Sequence, residues 1–514
     1  MRAVLTGNFN IGPLRQQAGS RPVRSKTAPA SAASLTRASN GSSLLEILIA
    51  ITVLSLGIGA VLLLSTANQD LKIDSQTNSE ALSKAEDMLE TARALSRQDF
   101  YSISSLAPAI DDIYTKSVNV TDIDAFTKEV TSHVKWAASA SRPVEISLTT
   151  RLTDQQGAIG GDTCNPILSG DWTKPQDWKG GYGYADIVSP NGASGLDAFN
   201  KKIYLTSDVG NKNDFYIIDV SNPKPAGLNL PILGSLKTTY GLTDVRVAGK
   251  YAYVAADSAQ YQLLVIDISD PLNLNPSKIV KKLDLTAPGD TAYGNTLYYS
   301  KRKIYLGLTK SSGAEFHIID VSDPLNPIDE GSFETNTAVN QIIVKDGLAY
   351  LATPSSSQVW ILDVSDPTNP HQTDPIKQTF SNPPGWQHWS GQSLALAGNT
   401  LYFGRIYNIG ANSTDLFVLD STDLTKPPTG TLTQTKQDGV SRMVIRNNLL
   451  FMSNSAPNDG FQIWDVSNPA SVNRYDTTPI NIQQTSTAGM DCDGNLIYIG
   501  QTHNRALQII GPGP

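Results

Sequence analysis

Tyr216-Ile217-Ile218-Asp219-Val220-Ser221-Asn222-Pro223 returns along the chain as Val265-Ile266-Asp267-Ile268-Ser269-Asp270-Pro271 and Ile318-Ile319-Asp320-Val321-Ser322-Asp323-Pro324. It returns again as Ile361-Leu362-Asp363-Val364-Ser365-Asp366-Pro367 and Ile463-Trp464-Asp465-Val466-Ser467-Asn468-Pro469. Between the last two stands a degenerate copy, Val418-Leu419-Asp420-Ser421-Thr422-Asp423-Leu424, and Leu507 to Ile510 ends the series with Gly511 in place of the acid. Successive Asp residues lie 48, 53, 43, 57 and 45 positions apart, the period of a four-stranded blade rather than of a helical repeat. Within one period, Val245-Arg246-Val247, a turn at Gly249-Lys250, Tyr251 to Ala255, Leu263 to Ile268 and Ile279 to Leu285 supply four strands. β-Branched alternation and Asp-Pro breaks exclude a helical solenoid. Units of this kind cannot bury both faces alone, so they stack around an axis.

Seven runs predict seven blades. The last period supplies only three strands, Met490-Asp491-Cys492, Leu496 to Ile499 and Leu507 to Ile510. Asn165-Pro166-Ile167-Leu168-Ser169-Gly170-Asp171-Trp172 is similar to Leu230-Pro231-Ile232-Leu233-Gly234-Ser235 and is read as the missing fourth. Closing the ring this way removes two open sheet edges. It also puts Cys164 and Cys492 at one end of the same sheet, a candidate disulfide worth about 4–5 kcal/mol by loop entropy; two unrelated buried thiols are the alternative. The motif resembles the LVIVD-repeat family of β-propellers over residues 165–514, a resemblance that implies the fold and says little of function.

The chain has 514 residues and a net charge of −8. Six basic residues and no acid fall in 1–41, so the remainder carries −14. An acidic body recommends no nucleic acid as partner, and two Cys exclude a multi-cysteine metal framework. Residues 1–41, rich in Ser, Ala and Arg, read as disordered. Next comes Gly41-Ser42-Ser43-Leu44-Leu45-Glu46, then Ile47 to Leu64 without a charge. Eighteen residues at about 1.5 Å each span roughly 27 Å, a bilayer core. Basic residues before and acids after predict a single pass with the N-terminus cytoplasmic and the propeller extracytoplasmic, on the cell surface or a pilus.

Glu46 opens that apolar run, where a lone carboxylate demands a partner. Here the chain resembles the type IV pilin and pseudopilin family. The resemblance implies that a prepilin peptidase cuts after Gly41, that Ser42 becomes a methylated N-terminus, and that Glu46 pairs with the terminal amine of a neighbouring subunit. Leu82, Ala85, Met88, Leu89, Ala92 and Leu95 then recur at helical spacing, so the helix continues to about Ser96. Residues 128–136 and 143–152 read as a hairpin in which His133 and Trp136 are packing or surface residues. The predicted fold class is thus an α+β pilin-like stem followed by an all-β seven-bladed β-propeller. Its parts are a leader (1–41), a transmembrane or assembly helix (42–97), a small β region (98–155), a linker (156–164) and the propeller (165–514).

The repeated Asp reads as a turn device, because a residue recurring in every blade at a turn serves the backbone. Five scattered His, no nucleophile elbow and no phosphate-cradling loop supply no catalytic motif, and no cofactor or metal is expected. Gly385-Trp386-Gln387-His388-Trp389, with Tyr240, Tyr293, Tyr182 and Tyr184, falls in loops sharing one face of the disc. Trp386, His388, Trp389, Tyr240 and Tyr293 are the candidate platform for a glycan or protein ligand; aromatics wedged between blades are the alternative. The inner strands start at Asp244, Thr296, Gln341, Ser393, Arg442 and Gly489, a polar ring without the matched acids of a glycosidase. The expected function is a minor or tip pilin-like subunit, in contact with other pilin subunits and inner-membrane assembly machinery, displaying the propeller for adhesion. The alternatives are a propeller enzyme working through Asp244 and Arg442, or a tethered scaffold that never polymerises.

Overall fold

A computed structural model describes residues 43–513 except 99, 101–102, 125–126, 140–141, 154–162, 165–167, 179–191, 210, 223–229, 356–357, 379–389, 407–413, 433–438, 455–458, 483–486 and 503–505. The chain divides into two compact units, a stem running to Leu95 with 103–121 and 129–152, and a propeller built mainly from 153 onward.

In the stem, one helix covers Ser43–Gln98, and four strands, Leu106–Asp111, Tyr114–Asp124, Thr127–Ser139 and Arg142–Thr153, form a sheet in sequence order. Ala81, Ala85, Leu89 and Ala92 make the buried helical face, while Leu82 and Leu95 are exposed. Small residues at Ala81 and Ala85 let Tyr114, Val134 and Trp136 come close. Tyr114 and Trp136 meet edge to face at 5.9 Å, and Tyr114 Oη donates to the Thr77 carbonyl at 3.2 Å. His133 is at the surface, its Nδ1 2.8 Å from Glu145 Oε1.

These observations correct two expectations. An α+β pilin-like stem does not describe the fold class: the chain is mostly β-strand, and the expected hairpin is the second half of a four-stranded meander. The first strand, Leu106–Asp111, carries Pro108 and no alternation, and the second alternates only over Ser117 to Thr121, too short a pattern to mark a strand. The single-pass membrane placement is corrected as well. Among the described residues no helix is long and apolar enough to cross a membrane.

Seven antiparallel sheets make the propeller. Blade 1 comprises Gly195–Phe199, Lys202–Thr206, Phe215–Asp219 and Ile232–Leu236; blade 2, Leu242–Ala248, Tyr251–Ala256, Leu263–Asp267 and Ile279–Leu283. Blade 3 is Gly294–Ser300, Lys303–Leu308, Phe316–Asp320 and Ile328–Phe333; blade 4 is Gln341–Lys345, Leu348–Ala352, Val359–Asp363 and His371–Gln378. Blade 5 is Ser390–Ala397, Thr400–Ile406, Leu416–Asp420 and Gly430–Leu432, and blade 6 is Arg442–Arg446, Leu449–Ser453, Phe461–Asp465 and Asn473–Arg474. In each, the third strand is the aliphatic run of the repeat, almost wholly buried, because both faces of its sheet press on neighbouring blades. Seven apolar clusters fill the seven interfaces, the cluster around Leu196, Tyr498 and Leu507 joining blade 7 back to blade 1. The ring is closed by burial as well as by hydrogen bonds.

Blade 7 consists of Thr487–Gly494, Leu496–Gln501, Leu507–Gly513 and, from the N-terminal side, Asp171–Asp177. The closing strand therefore begins where the sequence reading (165–172) ends. Trp172, 2 % exposed, faces inward, and Pro175 is tolerated because the strand is an outer edge. A fifth, two-residue strand, Thr163–Cys164, pairs in parallel with the inner strand. Outer strands approach the next blade closely: a Cβ at Gly331 would lie 2.3 Å from the Pro367 carbonyl oxygen. That contact explains a glycine facing the proline of the following repeat.

Candidate functional site

Inner strands expose one backbone edge toward the axis, and unsatisfied amides there would be costly. The propeller meets this with polar side chains that reach from one blade to the next. Asp491 Oδ2 accepts the Ala198 amide at 2.8 Å, and Asp197 Oδ2 accepts the Val247 amide at 2.8 Å. Asp244 Oδ2 accepts from the Leu297 amide and Thr296 Oγ1, both at 3.0 Å, and Gln341 Oε1 accepts the Leu394 amide at 2.7 Å. Arg442 works in the opposite sense, its Nε donating to the Ala488 carbonyl at 2.9 Å and Nη1 to the Ser441 carbonyl at 2.9 Å.

Arg246 sits among these acids, 3.2 Å from Asp244 Oδ1 and 4.0 Å from Asp197 Oδ1. Burial opposes its charge, yet Asp244, Asp197 and Asp491 together hold its pKa above the ordinary value. Burial pushes Asp197 up, with Arg246 pulling against it, and burial with the nearby Arg246 lowers Arg442. Asp244 and Arg442, the residues on which an enzyme reading rests, thus each serve a blade-to-blade contact.

The repeated Asp closes a turn. In six blades its Oδ1 accepts the amide two residues on, from Ser221, Ser269, Ser322, Ser365, Thr422 and Ser467, at 2.7 to 3.0 Å. A second recurrent position escaped the sequence reading. The residue immediately before the aliphatic run is Asp214, Gln262, Glu315, Gln358 or Asp415, each buried. Asp214 accepts the Thr238 amide at 2.8 Å, Gln262 the Leu285 amide at 2.8 Å and Glu315 the Thr335 amide at 2.9 Å. Each fastens the connector that leads to the next blade. Its signal was available: one acid or amide preceding five of the seven apolar runs.

These connectors and the loops joining second to third strands share one face. Trp386, His388 and Trp389, with Tyr182 and Tyr184, lie outside the described residues. Tyr240 is half-buried and meets Tyr261 edge to face at 5.7 Å. Lys282 Nζ stands 5.1 Å and 5.4 Å from the two rings and donates to Tyr240 Oη at 3.0 Å. Tyr293 belongs to a separate group. Its pKa is raised by burial and by the charges of Asp257 and Asp208. Asp208 is itself pushed up to about 6 by partial burial and by Asp257, with which it hydrogen-bonds. Gly241 (φ 75°) is wedged against this pair, where a Cβ would meet Asp208 Oδ1 at 2.6 Å. The structure therefore brings Tyr240 and Tyr293 to one face but engages them with different partners.

Gly41 and Ser42 also lie outside the described residues, as does the side chain of Glu46. Cys492 is disulfide-bonded and buried, and Cys164 is the only other cysteine in the sequence. Among the described residues no cluster of His, Cys, Asp or Glu is arranged to hold a metal ion.

Seven closed four-stranded blades, a channel edged by structural charges and a loop face carrying aromatics and acids define a β-propeller. The family model for the LVIVD repeat matches residues 209–229, 242–281, 311–335 and 338–373. No curated protein matches the chain in sequence. Among solved structures, the periplasmic gluconolactonase of Pseudomonas aeruginosa is similar at 11% identity and a TM-score of 0.44, over 57% of this chain and 86% of that one. The computationally designed protein Ika8 is similar at 9% identity and 0.41, over 63% and 96%. YCF48, solved with a bound peptide, is similar at 9% identity and 0.40, over 63% and 95%. None of these scores is high enough to carry an argument about activity.

Proposed function

We propose that the protein is a partner-binding β-propeller carried on an assembly helix, a pilin-like subunit of the minor or tip kind whose task is adhesion or partner capture without catalysis. One observation supports the assembly half above all. Ile47, Leu48, Ile49, Ile51, Val53, Leu54, Leu56, Ile58, Val61 and Leu62 are all more than half exposed, Leu56 at 74 %. They lie on every side of the helix, so a single groove cannot cover them; several like helices can. Cleavage after Gly41 by a prepilin peptidase would give Ser42 a cationic end for a neighbour's Glu46. The binding half is supported by a loop face whose aromatics are separate from the channel charges. Its partners are a glycan or protein surface that is basic or neutral, in keeping with the acidic propeller.

The test uses the full chain expressed with its processing peptidase. Glu46→Ala is expected to abolish sedimenting assemblies while leaving the propeller folded; undiminished assembly would remove the Glu46 pairing, and a processed wild-type chain that forms no assemblies would refute the subunit reading and leave a scaffold that never polymerises. Ligand binding is read by a glycan and protein array, with Trp386→Ala and Trp389→Ala each losing about tenfold in affinity. Equal binding by both variants would remove the aromatic platform.

A further inference from the structure

The segment that enters the propeller wraps one blade. Thr163 and Cys164 pair in parallel with Asp493 and Gly494, on the inner edge of the inner strand of blade 7. Ser169 then crosses the hairpin turn of that blade, its amide donating to Asn495 Oδ1 at 3.1 Å. Asn495 Nδ2 donates back to the Ser169 carbonyl and Oγ, both at 2.9 Å. Gly170 (φ 79°) turns against Pro512. Finally Asp171, Gln176 and Asp177 pair with Gly513, Gly511 and Ile510 on the outermost edge. Thr477 donates to the Thr173 carbonyl at 2.7 Å, and Trp172 packs on Phe451 at 5.0 Å.

The order of these anchors along the chain has a mechanical consequence. A pull arriving from the stem meets Cys164 before it meets the strand that closes the ring. Cys492, the chain's disulfide-bonded partner cysteine, sits within the inner strand, which is held by its own blade and by blades 6 and 1. The geometry points to a load-bearing strap: the bond between Cys164 and Cys492 delivers tension from the stem into the inner strand of blade 7, and the Asp171–Asp177 closure stays unloaded. Without the bond, tension would reach the Ser169–Asn495 contact and then peel Asp171–Asp177 away from Leu507–Gly513. Ring opening would begin there. The strap is a property of the propeller's own chain path and stands whether or not the helix assembles.

Pulling the full chain in an optical trap tests it, with one handle at the N-terminus. The other is inserted beside Gly289, whose surroundings are open, on the loop face. Cys164→Ser is expected to lower the rupture force roughly twofold or more and to add an early step from release of the closing strand. Asn495→Ala, with the bond intact, is expected to keep the wild-type force. Brief phosphine reduction of the folded wild-type chain repeats the comparison without a substitution, should Cys164→Ser fail to fold. Equal rupture forces with and without the bond would overturn the strap, and so would an equal loss in Asn495→Ala.

Discussion

Asp208 and Asp257 extend from the loops of two neighbouring blades, and two carboxyls within hydrogen-bond reach keep that contact only while they share a proton. Gly241 fixes the approach, since its positive φ and the 2.6 Å clearance exclude a side chain there. With an ordinary value of 3.8 in the unfolded chain and about 6 in the fold, the folded state binds the proton more tightly. The contribution to stability is therefore complete below the unfolded value and disappears as pH rises through about 6. Asp208→Asn keeps the shape and removes the titration. Relative to that variant, the wild-type melting temperature is expected to fall by about 1–3 °C between pH 4 and 7, solvent screening included. Parallel melting curves for the two proteins across that range would show that the pair does not share a proton.

At the scale of elements, the stem helix shows how a correct period can be laid on the wrong residues. Spacing alone groups Leu82 and Leu95 with Ala85, but the buried helical face is Ala81, Ala85, Leu89 and Ala92, and Tyr114 and Trp136 close on the small residues Ala81 and Ala85. Ala85→Leu is expected to overfill that space and cost about 1–3 kcal/mol in the stem transition, whereas Leu82→Ser should cost under about 0.5 kcal/mol. Calorimetry of the full chain reads both; equal effects would place the interface on the other face. The third strands of the blades were legible because burial on both faces makes them continuous aliphatic runs ending in a turn acid. The closing strand was misplaced because Asn165-Pro166-Ile167-Leu168 copies the look of Leu230-Pro231-Ile232-Leu233, while Trp172-Thr173-Lys174-Pro175 has an edge strand's composition. Two residues, Thr163 and Cys164, are too few to carry any pattern. The connector clamps at Asp214, Gln262 and Glu315 were visible only as scattered polar residues until their amide partners, some twenty positions on, gave them a common role.

Across the whole molecule, charge at the inner-strand positions matching Asp244 and Arg246 falls in neighbouring blades on one side of the ring. Arg442, Asp491, Asp197, Asp244 and Arg246 come from blades 6, 7, 1 and 2, whereas blades 3 to 5 offer Tyr298, Ile343 and Ala395 at the positions matching Arg246. A ring closed by seven apolar interfaces has no need of those charges for burial, so their retention is explained by the inner-strand amides they satisfy. That account makes a demand on Asp244. Its loss would strip acceptors from the Leu297 amide and Thr296 hydroxyl and leave Arg246 with only Asp197, at 4.0 Å, and the more distant charge of Asp491. Asp244→Ala is expected to cost about 3 kcal/mol in urea unfolding, as for a buried pair broken on one side. The Asp244→Ala/Arg246→Met double variant should recover part of that loss, since the stranded cation is gone as well. Near-wild-type stability in Asp244→Ala, together with loss of a measured turnover, would mean that the channel mouth is kept for chemistry and that the propeller is an enzyme.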